Sequence, residues 1–453
     1  MRAVKTEFSA LLQLALPVLV AQLLLASTSF VDTLMAGQAG TADLAGVGVG
    51  SSLWAVCAMF LMGAFMSVNP TVARHRGRGE YQIIASYVQQ GLWLALPAAL
   101  ILFCVLNLNR FYLPELVQDQ QVLAVASGYL HGLSWGMPAV IGFFVLRPYS
   151  EGMSYPRAQT ISAAVGLLVN IPCNYLLIFG KLGLPELGGA GCGWATSISF
   201  WAMLAVMLFY TWRHPAFRRV PLFSCCYPIE RQKMIYLLKI GLPIAMAVTV
   251  EGSAFALVTL FIAGLPAAEI AGHQIAMNIS YLAYMVPFSM STAITVRVAS
   301  HLGTERWLQA RQAVWAGIIM AMAAGLLLAL GIFLFREWLA DLYSDDAQVI
   351  GIAALLLLFS IGFKLCDSVA ATLQGALRGY HDVNVTLIAS LIAYWLVCLP
   401  LGYVLGLTDW VVAPMGARGY WLSLVVGVAV SAVILAFRYR RVVGKGELAR
   451  GRC

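Results

Sequence analysis

Uninterrupted apolar runs, recurring along the whole chain, decide what this sequence can fold into. Ala316–Phe335 is one of them, without a single charged residue. A helix crosses the hydrocarbon core with about 20 such residues. No water is available there, so backbone amides must be satisfied within the segment, which leaves helices or a closed barrel. The runs are continuous rather than alternating, and that selects helices. Twelve spans are expected, near 12–36, 47–72, 88–108, 128–148, 160–180, 190–212, 236–263, 274–298, 312–335, 348–376, 384–406 and 416–437. The first has no small-residue cleavage site after a short apolar core, so it is expected to stay as a helix.

Charged residues make up only 11% of the chain, against roughly 25% in soluble domains. The net charge of +8 would suit a nucleic-acid binder, but its distribution says otherwise. With the N-terminus on one side, every Lys and Arg falls on that side except Arg110, Lys181, Arg336, Arg418 and the intramembrane Lys364. The opposite loops hold acids such as Asp43, Glu115, Glu186, Glu269 and Asp345. Positive loops stay cytoplasmic, so both termini are expected inside an inner membrane. The excess base is thus a topology signal, and no nucleic-acid partner is expected. Nine cysteines, mostly within spans, have neither zinc nor redox spacing and read as small apolar packing residues.

An internal repeat divides the chain. Leu16-Pro17 pairs with Leu242-Pro243, and Ala45-Gly46 with Ala271-Gly272, both at an offset of 226. Pro172 and Tyr175 pair with Pro400 and Tyr403, and Gly189-Ala190 and Trp194 with Gly416-Ala417 and Trp421. The expected fold is therefore all-α and integral to the membrane, with two pseudo-symmetric six-helix bundles over 1–212 and 236–437. A cytoplasmic connector, 213–235, joins them, and a basic tail, 438–453, follows. Each half has an even number of spans, so the symmetry axis runs along the membrane normal. Repeats of this kind place a substrate site between them and work by rocking.

Three acids, Asp32, Glu251 and Asp367, lie inside spans, while the other seventeen are read as loop or tail residues. A charge at mid-bilayer costs about 2.5–3.5 kcal/mol on insertion scales, so each needs a reason. Asp32 and Glu251 occupy the repeat-related first and seventh spans. A carboxyl in such surroundings takes up a proton, holds a cation, or ties helices together by hydrogen bonds. Lys364, the one basic residue clearly inside a span, stands three positions before Asp367 on nearly the same helix face, which suits an ion pair. Asn170 and Asn174 lie one turn apart, Thr196 opens the sixth span, and Tyr281 and Tyr284 offer aromatic faces to a cation.

These residues resemble the multidrug and toxic compound extrusion (MATE) transporters, in their NorM-like branch. The likeness rests on Leu16-Pro17 leading to Phe30-Val31-Asp32-Thr33-Leu34-Met35-Ala36-Gly37, and on Val250-Glu251-Gly252. It continues with Gly189-Ala190-Gly191-Cys192-Gly193-Trp194-Ala195-Thr196, and with Asp367 ahead of Gln374-Gly375-Ala376-Leu377-Arg378-Gly379. The resemblance implies two six-helix bundles in a V, and export of cationic drugs by a monomer, driven by a sodium or proton gradient. It implies a cation site, sodium if that is the ion, at Glu251 and Asp367 with Tyr284 nearby. A second polar site falls on Asp32, Asn170, Asn174 and Thr196. No cofactor beyond the coupling ion is implied, and the partners are cationic small molecules and lipid. Lys364 is not part of the family pattern.

Two other functions fit the architecture less well. A flippase for lipid-linked oligosaccharides needs basic residues in its cleft to hold pyrophosphate, whereas the acids here outnumber Lys364. An intramembrane enzyme needs a nucleophile with its base, or a His-Glu-x-x-His metal motif. The six histidines are read as lying in or near loops, and they form no such pattern.

Overall fold

The computed structural model describes residues 2–448; the end of the basic tail expected over 438–453 lies outside them from residue 449. Sixteen α-helices and no strand occur among the described residues. In chain order they are α1 (Arg2–Ala39), α2 (Thr41–Phe65), α3 (Val68–Arg78), α4 (Tyr81–Asn107), α5 (Asn109–Leu116), α6 (Gln120–Ser134), α7 (Met137–Gly152) and α8 (Arg157–Ile178). Then follow α9 (Ala190–Arg213), α10 (Arg231–Ile262), α11 (Ala267–Gly303), α12 (Trp307–Asp341), α13 (Ala347–Gly379), α14 (Asn384–Ser390), α15 (Leu399–Leu407) and α16 (Ala417–Leu448). Eleven stretches are long and apolar enough to cross a membrane, and α6 with α7 makes a twelfth when read as one broken span.

Prolines account for where the spans depart from straight helices. The fourth span, expected to be continuous over 128–148, bends by 57° between α6 and α7. Pro138 has no N–H to offer the Ser134 carbonyl, so the ladder fails there. Gly136 sits at the break, where a Cβ would fall 2.7 Å from the Ser197 hydroxyl of α9. Pro70 likewise denies a bond to Met66, and α2 gives way to α3 at Met66-Ser67. In the eleventh span Pro400 withholds its donor from Leu396, and Leu391–Cys398 between α14 and α15 winds as a π-helix. The basic Arg74–Arg78 stretch, read from sequence as a loop, is the helical end of α3. Gly79 closes it in the left-handed region at φ 75°.

The contacts divide the chain into two compact units, Leu16–Gly241 and the residues up to Ala15 together with those from Leu242 on. Both repeat the same device. In the first, Asp43 at the start of α2 accepts from the Gly189 N–H at 2.6 Å, just ahead of α9. In the second, Glu269 at the start of α11 accepts from the Ala417 N–H of α16 at 2.8 Å. Each acid thus satisfies an orphan donor at a helix N-terminus and complements the helix dipole there. The chain reaches both positions through a residue at positive φ, Gly188 (56°) and Gly416 (60°). The sequence places Asp43 and Glu269 at one repeat offset, and the structure gives them one job.

Helix pairs approach closely where small residues meet, as expected when lipid supplies no hydrophobic drive between helices. Gly375 of α13 is the tightest instructive case. A Cβ there would collide with the Ser291 carbonyl oxygen of α11 and lie 2.7 Å from its hydroxyl. Gly375→Ala is therefore expected to destabilise the second unit by about 1–3 kcal/mol. Thermal unfolding of the purified protein in detergent checks this, and an unchanged midpoint would show that α11 and α13 separate without cost.

Candidate functional site

In the first unit the polar residues singled out from sequence converge on one carboxylate. Asp32 of α1 is only 7% exposed, with Asn170 and Asn174 of α8 and Thr196 of α9 buried against it. Its Oδ1 accepts from Asn170 Nδ2 at 3.1 Å and from Asn174 Nδ2 at 2.6 Å, while Oδ2 accepts from the Thr196 hydroxyl at 3.0 Å. The Asn174 amide also donates to Asn170 Oδ1 at 2.9 Å, and the Cys192 thiol lies 3.6 Å from the Asp32 carbonyl. The one-turn spacing of the two asparagines aims both amides at the same oxygen. Three neutral donors and no cation surround the charge. Both carboxylate oxygens are thus satisfied by hydrogen bonds from neutral side chains.

In the second unit Glu251 of α10, and Lys364 and Asp367 of α13, form a different kind of site. Lys364 and Asp367 are 2% and 3% exposed, with Nζ 4.0 Å from Asp367 Oδ2. The Lys364 ammonium also lies 5.5 Å from the Tyr284 ring of α11 and 5.0 Å from the Phe363 ring, in cation–π range of both. Glu251 feels the charges of Asp367, Arg378 and Lys364. Its Oε1 accepts from the Tyr394 hydroxyl at 3.0 Å.

Tyr394 is the contact that sequence reasoning missed. It stands on the π-helical stretch, where the extra residue per turn re-aims side chains away from the α-helical face. Trp395, next to it, donates from Nε1 to the Val250 carbonyl and the Ser253 hydroxyl, both at 3.3 Å. The stretch therefore grips α10 on both sides of Glu251. Pro400 was the available signal, since it predicts a disturbed ladder one turn upstream.

Three readings need correction. Glu7 and Glu151 are not loop or tail acids, and Lys364 is not alone among bases within helices. Glu151 of α7 pairs with Arg147 at 3.3 Å and accepts from Asn69 Nδ2 at 2.7 Å, with both charges buried. Glu7 of α1 accepts from Arg297 Nη2 of α11 at 2.6 Å and Nε at 3.0 Å, and it meets His301 Nε2 at 3.0 Å. These partners sit in helices that run further than the apolar runs alone suggested. Nor do the histidines all keep to loops. His273 lies within α11, wholly buried, where its Nδ1 accepts from Trp421 Nε1 at 3.1 Å and its Nε2 meets the Thr259 hydroxyl at 3.1 Å. The α11 helix starts directly after Pro266 and so carries His273 into the bundle. Tyr281 is 62% exposed and takes no part in the acid site. Among the described residues, no three His, Cys, Asp or Glu side chains come together as a metal cluster.

Comparison with known proteins agrees with the fold. The MatE family model matches residues 17–176 and again 243–404, once in each half of the repeat. The multidrug resistance protein PmpM of Pseudomonas aeruginosa is 40% identical over 97% of this chain and 92% of its own length. The multidrug resistance protein NorM of Vibrio vulnificus is 38% identical over 97% and 96%. Among solved structures, a MATE protein in its bent conformation shares the fold with a TM-score of 0.88 at 17% identity, covering 99% of both chains. An outward-facing MATE multidrug transporter gives 0.87 at 18% identity, over 97% and 96%. With a family model matched twice, relatives at this identity across almost the full length and two repeat-related halves of membrane-spanning helices, the chain belongs to the multidrug and toxic compound extrusion (MATE) transporters, in their NorM-like branch.

Proposed function

We propose that the protein is an antiporter that exports cationic organic drugs and toxic compounds by alternating access, driven by inward movement of sodium or protons. The observation that carries this reading is one intramembrane acid on the first helix of each half, Asp32 buried and Glu251 half-buried, each met by a hydrogen-bond donor from another helical segment. Buried carboxylates in an apolar span favour a positively charged visitor, whether proton, metal ion or organic cation. Binding at either site favours one arrangement of the bundles over another only if affinity differs between arrangements, and two separate acid sites give room for that difference. The names of the relatives, multidrug resistance proteins, support the same class of cargo. In this reading the protein is a monomer in a bacterial inner membrane with both termini cytoplasmic. It transports rather than catalyses, and it meets lipid and cationic small molecules but no nucleic acid.

Reconstitution in proteoliposomes tests it. A cationic dye should move uphill while a sodium or proton gradient is imposed, and movement should stop when an ionophore collapses that gradient. Uphill movement that survives the collapse, or transfer of a pyrophosphate-linked lipid without any of the dye, would overturn the reading in favour of a different transporter class.

A further inference from the structure

The family resemblance suggests a sodium ion at Glu251 and Asp367, yet the residues present there do not suit one. Sodium is a hard cation that needs several oxygen ligands, as hard cations generally do. Asp367 Oδ2 accepts no hydrogen bond, but the nearest positive group, 4.0 Å away, is the Lys364 ammonium. Around that ammonium stand the Tyr284 and Phe363 rings, which turn π-faces toward the cation, a better match for an organic cation than for a metal ion. On the far side, Tyr394 already donates its hydroxyl proton to Glu251. Arg378, also buried on α13, adds its charge to the field at Glu251.

We propose that Lys364 is the residue that sets ion specificity at this site: its ammonium is a resident cation that takes the position of sodium and excludes that ion. The idea rests on the antiport reading above and deepens it. The physical case is one of charge and of ligand type together. Asp367 already has a counter-charge in the buried ammonium 4.0 Å away, so a sodium ion would enter against like charge. It would also have to replace water with ring faces. An organic cation loses less, because it is more weakly hydrated and the rings already suit its charge. Lys364 thus biases the second unit against metal ions.

The test needs no drug, so it is independent of whether the export reading holds. Purified full-length protein is titrated with sodium chloride against choline chloride at constant ionic strength, and both thermal midpoint and tryptophan fluorescence are followed. The wild type and Lys364→Arg, which keeps the charge, should show no sodium-specific change. Lys364→Gln should acquire a saturable sodium response, half-maximal at a concentration roughly tenfold or more below any seen in the wild type. Adding Asp367→Asn to Lys364→Gln should abolish that response. Lys364→Met serves if the Gln variant does not elute as a single folded species. A saturable sodium response in the wild type that Asp367→Asn removes would overturn the proposal, as would a Lys364→Gln protein that responds no better than the wild type. If the sodium results come out as expected but no dye is exported, the site assignment stands and the export reading falls.

Discussion

Asp32→Asn is expected to reduce export by roughly tenfold or more, the factor that about 1.4 kcal/mol of lost coupling produces, while the protein still reaches the membrane. The substitution hardly changes volume, but it is not silent in the hydrogen-bond network. Asp32 accepts three bonds, from Asn170, Asn174 and Thr196, and donates none. An asparagine keeps one oxygen for the Asn170 and Asn174 amides but turns an NH2 group toward the Thr196 hydroxyl, whose proton loses its acceptor. A buried donor left unsatisfied costs about 1–3 kcal/mol. The thermal midpoint should therefore fall by several degrees even if Asp32 has no part in transport. Efflux normalised to folded protein separates the two effects. Asn170→Ala and Thr196→Ala each remove one donor but keep the charge, so they should lose comparable stability and retain most export. Full normalised export by Asp32→Asn would reduce the residue to a helix tie, and Glu251 would then be the coupling acid by default.

What could be read from the sequence was what depends on residue type and regular period. Asp32, Asn170, Asn174 and Thr196 are polar residues in apolar helices, and polar groups in lipid must find one another. The 3.6-residue repeat put Asn170 and Asn174 on one helix face, while their meeting with Asp32 and Thr196 was implied by the family resemblance alone. The Lys364–Asp367 pair was legible for the same reason, being three apart on one helix. Tyr394 was not, because its direction depends on a π-helical stretch, and periodicity assumes an α-helix throughout. The break between α6 and α7 was hidden similarly, although Pro138 was in plain view. Proline marks a weakness in the ladder, but neighbouring packing decides whether the helix kinks, winds wider or parts. Pro17 and Pro243 lie within α1 and α10, which each run on as a single helix, whereas Pro138 and Pro400 do not. Glu7 and Glu151 were misplaced because they lie on helix ends beyond the apolar runs. Hydropathy finds where lipid is, and it does not find where a helix stops.

Glu251→Gln and Asp367→Asn should both abolish gradient-driven efflux, yet they should differ sharply in stability, and the difference follows from their partners. Gln at 251 keeps a carbonyl oxygen for the Tyr394 hydroxyl, so the bond now measuring 3.0 Å can persist without the charge. That variant is expected to fold like the wild type and to transport nothing. Asn at 367 takes away what is, among the described residues, the only carboxylate in ion-pair range of Lys364, and strands a buried ammonium. Removing one member of a buried pair typically costs about 3–5 kcal/mol, chiefly because the other charge is stranded. Asp367→Asn should therefore give less folded protein and a markedly lower thermal midpoint. Changing both partners, as Lys364→Met with Asp367→Asn, removes the stranded charge and should recover most of that stability, because a well-packed apolar replacement of a buried pair is often neutral. Export should not recover with it. The cycle of two single variants and one double variant thus separates a structural loss from a functional one by a non-additive midpoint, and the coupling is expected to be large. If the double variant regains efflux as well as stability, Asp367 only neutralises Lys364, and coupling in this unit rests on Glu251 alone. Should Glu251→Gln keep full efflux under the same gradient, the second unit does not carry the coupling ion, and the Asp32 site of the first unit must.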